Sequence, residues 1–137
     1  MKSKILAVLF LIVLPVHAAE NTVCSGISFS EVSSLSELPK EVISILSSNG
    51  RHGIADNSNE KFNDTDIALY ENAPFRRFNL AAISLNRILV AVEHGGRGYA
   101  VELWSIERSN SDWHGKIQDI IFKVPGSLDE LIRHSCR

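Results

Sequence analysis

The residues best suited to chemistry stand in one short run, Glu93-His94-Gly95-Gly96-Arg97-Gly98-Tyr99. Glu93 and His94 are an acid and a base side by side, Arg97 can hold a carboxylate or phosphate through two parallel N–H bonds, and Tyr99 offers a ring face and a hydroxyl. Three glycines open backbone angles closed to other residues and let amide groups point at an anion. The run resembles a phosphate cradle only loosely, because a nucleotide loop opens a helix and carries Lys-Ser or Lys-Thr, whereas a strand pattern follows here. A plainer reading makes it a hairpin connection or bulge in which glycine serves geometry alone. Two functional readings remain: a binding loop using His94, Gly95, Gly96, Arg97 and Tyr99, or a hydrolase-like site in which Glu93 and His94 act and Arg97 holds the anion.

Other chemistry finds less support. Arg76 and Arg77 can contact a ligand, but pairing across a sheet with Glu93 and Glu102 ranks first, since such pairs are routine. Trp104, Trp113 and His114 can form an aromatic surface patch, or Trp104 can be buried on the sheet. The sequence has no Gly-x-Ser-x-Gly elbow and no Ser-x-x-Lys pair, and no cysteine is left over for a Cys-His pair. His52, His94, His114 and His134 have no metal-ligand spacing, so no metal and no cofactor are expected. The acidic stretch Asp56–Asp66 suggests calcium only superficially: in the EF-hand frame from Asp56 the glycine position holds Lys61 and the bidentate glutamate position holds Ile67.

The two cysteines are informative through the compartment. Lys2 and Lys4 precede an unbroken apolar run, Ile5–Leu14, and Val16-His17-Ala18 follows Pro15, the pattern of a secretory signal peptide cleaved after Ala18. The apolar run is about half the length that a membrane-spanning helix needs, and Asn21-Thr22-Val23 before Cys24 does not fit lipid attachment. The expected mature chain, 19–137, is therefore exported, periplasmic or secreted, with no membrane span. In an oxidising compartment Cys24 and Cys136 are expected to bridge, closing a loop of about 110 residues and contributing about 4 to 5 kcal/mol. Without Lys2 and Lys4 the 14 basic residues fall to 12 against 16 acidic ones, a net charge of −4. That balance lacks the basic footprint of a nucleic-acid binder. Asn63-Asp64-Thr65 is a glycosylation sequon should the pathway be eukaryotic.

The elements that must position the run follow from periodicity. Leu35, Leu38, Val42, Ile45 and Leu46 lie on one helical stripe, giving a helix over about 37–48 with Ser34 or Ser36 as cap, Pro39 in the first turn and Asn49-Gly50 as the stop. From 51 to 74 the periodicity vanishes into a long polar loop, with Ile67–Tyr70 as a short strand within it. Alternating segments at about 76–84, 88–93, 99–107 and 116–124 predict a four-stranded antiparallel meander. Ser127 with Glu130 three residues on opens a C-terminal helix over about 128–135. The expected fold is a single α+β domain with both helices packed on one face of the sheet. With size, acidity, export and no complete catalytic set, the leading expectation is a disulfide-closed domain that binds another exported protein, as an inhibitor or immunity-type protein does. A small hydrolase and a small-ligand-binding domain are the alternatives.

Overall fold

The computed structural model describes Cys24, 26–48, Gly50, 52–57 and 60–137, so the expected leader, 1–18, and Asn49 of the expected helix stop lie outside the described residues. The chain runs β1 (Ser30–Val32), a 3-10 turn (Leu35–Glu37), α1 (Lys40–Ser47), β2 (Arg76–Ile83), β3 (Arg87–His94), β4 (Ala100–Ser109), β5 (Asp112–Ile121) and α2 (Leu128–Ser135). All strands join one antiparallel sheet in the order β1-β2-β3-β4-β5. The α+β class and the meander are as expected, with β1 as a fifth strand too short to show alternation.

The two helices cover opposite faces, which corrects their expected placement on one face. Val42 and Leu46 of α1 pack with Phe78, Ala81, Ile88, Val90, Val92, Trp104 and Ile106. Leu131 of α2 packs with Leu80, Ala82, Leu89, Ala91, Val101 and Leu103. Successive strand residues point to opposite faces, so the unbroken apolar run Ile88–Val92 demands cover on both sides. A bulge at Asn79, between the Phe78–Val92 and Leu80–Ala91 pairs, switches β2 from one core to the other.

Local chemistry sets the ends. The expected single helix over 37–48 divides because a residue before proline is driven from helical angles: Leu38 is extended, with φ −79° and ψ 153°, and α1 starts after Pro39. Ser34 closes the short turn, accepting from the Ser36 amide at 3.3 Å while its own amide donates to Glu37 at 3.1 Å. Asn110 and Ser111, both with positive φ, make the two-residue connection that suits a twisted hairpin. β4 and β5 are thereby paired right up to the turn, so β5 begins at Asp112 rather than 116. Ser127 accepts from the Glu130 amide at 3.2 Å, and Glu130 reaches back to the Gly126 amide at 2.8 Å. Cys24 and Cys136 are bridged, with a Cα–Cα distance of 5.4 Å, and both are buried against the α2 side of the sheet.

Candidate functional site

The glycine-rich run is the β3–β4 hairpin connection, with His94 paired to Ala100 at its base. Two of its glycines answer to geometry. A Cβ on Gly95 would collide with the carbonyl of Asn63 and come within 2.7 Å of the Asp64 Cα, so the hairpin meets the long loop backbone to backbone. Its amide is used there as well, donating to the Phe75 carbonyl at 2.7 Å. Gly96 turns the chain with φ +119°.

The described part of the long loop is held by side chains that sequence inspection passes over. Asn63, 1% exposed, donates to the carbonyls of Tyr70 and Ala73, both at 3.0 Å, and accepts from the Tyr70 amide at 2.9 Å. Its burial takes the sequon's acceptor out of reach in the folded chain. Asp56 ties the loop to the 3-10 turn, accepting from the Leu35 amide at 2.7 Å and the Ser34 hydroxyl at 2.8 Å. Burial pulls its carboxyl upward, but the bonds from Leu35, Ser34 and Asn57 outweigh that and hold it below its ordinary value. Ala55 lies in a parallel bridge with Arg77. Ile67–Tyr70 is not a strand; Ile67 and Leu69 stand 66% and 65% exposed.

The sheet splits the candidate residues between its faces. His94 goes to the α1 side, where an open cleft of about 370 Å³ is lined by Gly50, Asp66, Phe75, Arg76, His94 and the hairpin residues Gly95, Gly96 and Arg97. Glu93 goes to the other side, accepting two bonds from Arg77 at 3.1 and 3.0 Å and one from the Tyr99 hydroxyl at 2.8 Å. Phe62 lies against the same guanidinium, 4.2 Å from ring centroid to Cζ. Burial first, and then the Glu93 carboxylate, push the Tyr99 phenol up to about 12. Four of the five expected binding residues therefore share the cleft, while Tyr99 braces Glu93. Glu93 and His94 are not brought together as an acid/base pair, because adjacent strand residues diverge.

Both expected cross-strand arginine pairs form. Beside Arg77–Glu93, the buried Arg76 binds Glu102 at 2.6 Å, donates to the Leu46 carbonyl and stacks toward Trp104, whose Nε1 also donates to Glu102 at 2.9 Å. Its Nε has no partner among the described residues. Trp104 is buried, so Trp104, Trp113 and His114 form no exposed patch. Among the described residues no group of three or more His, Cys, Asp or Glu side chains is placed to hold a metal ion, and no helix is long and apolar enough to cross a membrane. Asp66, Phe75 and Gly50, absent from the sequence-based site, complete the cleft; they are distant in sequence and carry no motif.

No family model, no curated protein and no solved structure matches this chain.

Proposed function

We propose that this chain is an exported, disulfide-closed, non-catalytic domain that binds another exported protein, as an inhibitor or immunity-type protein does. The observation that carries the reading is the pinned loop beside the cleft. Asn63 and Asp56 fix a segment that holds Ile67 and Leu69 in solvent; its Asp66 lines the pocket carrying Arg97 and His94, and its Leu69 lines a separate one with Arg77. Apolar anchors presented by a pinned loop, together with an arginine that has no ion-pair partner among the described residues, are what a protein interface uses. Export is supported by the leader pattern and by the Cys24–Cys136 bridge. Separation of Glu93 from His94 takes support from the hydrolase alternative.

The test is affinity capture from periplasmic or extracellular extract with the mature chain. Wild type and Arg133→Ala, altered on helix α2 across the sheet from the cleft, are expected to retain the same partner, and Arg97→Ala and Ile67→Asp to lose it. Retention by all four chains would refute the assignment. A small-ligand reading is favoured only by the size of the cleft, which falls in the range of ligand pockets. A rise in melting temperature with small carboxylates or phosphate, abolished by Arg97→Ala, would select it.

A further inference from the structure

β5 ends the sheet and pairs only with β4, so the outward N–H and C=O groups of this ten-residue strand have no strand partner among the described residues. Such an edge is a template for pairing. Its side chains are also sorted. Ile117 and Ile120, 40% and 54% exposed, stand opposite Trp104 and Glu102, both on the α1 side. Residues three apart share a face here because the strand is bulged: Trp104 pairs with Ile117 and Leu103 with Asp119, leaving Gln118 as the additional residue. Gln118 goes to the other side, where its amide donates to the Ser135 carbonyl at 2.6 Å.

We propose that β5 pairs antiparallel with β5 of a second copy of this chain, about a two-fold axis between Gln118 and Asp119. Directly opposed residues of antiparallel strands share a face, and a one-residue slip opposes unlike faces. With the bulge counted, the register centred on it opposes like faces on both arms. Ile117 then lies opposite Ile120 of the second copy, and Ile120 opposite its Ile117. The exposed Phe122, just beyond the strand, comes beside Gly115, where Ile45 is already close enough to meet an added Cβ at 2.7 Å. The edge is thus self-complementary: two Ile–Ile pairs form at its centre, flanked on each arm by an aromatic ring against a position lacking a side chain. β5 contributes no residue to the cleft, so this inference stands or falls separately from the proposed function.

Sedimentation equilibrium across a concentration series up to about 1 mM tests it. Wild type is expected to pass from monomer to dimer. Ile117→Lys is expected to weaken the dimer at least tenfold while leaving the circular dichroism spectrum and the melting temperature of the dilute chain unchanged. Ile117→Lys combined with Ile120→Glu puts opposite charges across both central pairs and is expected to restore dimerisation; Ile117→Lys with Ile120→Lys is not. A wild type monomeric throughout the series, a dimer indifferent to Ile117→Lys, or an opposite-charge double variant as weak as the like-charge one would overturn the proposal. Arg97→Ala is expected to dimerise as wild type does.

Discussion

Replacing Asn63 by Asp changes almost no volume, yet it tests whether one buried amide holds the loop that builds the cleft. The substitution removes both protons that Nδ2 donates to Tyr70 and Ala73 and leaves a carboxylate facing two carbonyl oxygens at 3.0 Å. Two lost bonds cost about 1 kcal/mol each, and the unpaired, charge-facing acceptors add about 1 to 3 kcal/mol, giving about 3 to 5 kcal/mol at neutral pH. The loop can open without the sheet, so the cost falls first on loop opening. Amide exchange at Tyr70, whose N–H donates to the Asn63 side chain at 2.9 Å, is expected to accelerate about a hundredfold or more, since each 1.4 kcal/mol is a factor of ten. Amides of β3 and β4 are expected to keep their protection. The pH dependence has a definite sign. The introduced carboxyl, buried and facing oxygens, has a folded-state pKa above its unfolded value of about 4. The charge penalty is therefore absent below about pH 4, where the protonated group regains one donated bond, and grows as pH rises through the folded-state pKa. Unchanged Tyr70 exchange and an unchanged urea midpoint at neutral pH would refute the pinning role of Asn63.

Three further outcomes are expected. Replacing Cys24 and Cys136 by Ala opens a loop spanning a sequence separation of 112; the chain-entropy model gives about 4.8 kcal/mol, a fall of about 2 M in the urea midpoint, and a fall under about 0.5 M would contradict it. Gly115→Ala places a Cβ 2.7 Å from Ile45 Cγ2 and 3.3 Å from Ile106 Cγ1, costing about 1 to 3 kcal/mol of stability by urea titration; Ile45→Leu, which removes the branch at Cβ, should recover part of that loss in the double variant. In an ultraviolet phenolate titration Tyr99 ionises near pH 12. Because its folded-state pKa is raised, its contribution to stability is complete below pH 10, the ordinary tyrosine value, and is lost as pH climbs toward 12; Glu93→Gln should bring the ionisation of Tyr99 down.

The meander was legible because its strands alternate and its turns are marked: 76–84 and 88–93 lie within a residue or two of β2 and β3. The bridge was legible because the leader pattern points to an oxidising compartment and two cysteines have a single possible pair. The helix break at Leu38 was written in Pro39 but reads as a permitted first-turn proline until the preceding residue is considered. The faces of the helices were written in Ile88–Val92, where five apolar residues in succession leave no wet side.

Local pattern therefore determined the class of this fold, four of its five strands and its two helices to within a few residues, and its cross-link, because periodicity acts on residues near one another and two cysteines have a single possible pair. Tertiary structure decided what the glycine-rich run can do. It sent Glu93 and His94 to opposite faces, drew Asp66 and Phe75 in from elsewhere in the chain, and tied Asn63 to Tyr70 and Ala73 through one buried side-chain amide. Such outcomes depend on which backbone groups meet across the fold, and no spacing along the chain encodes that.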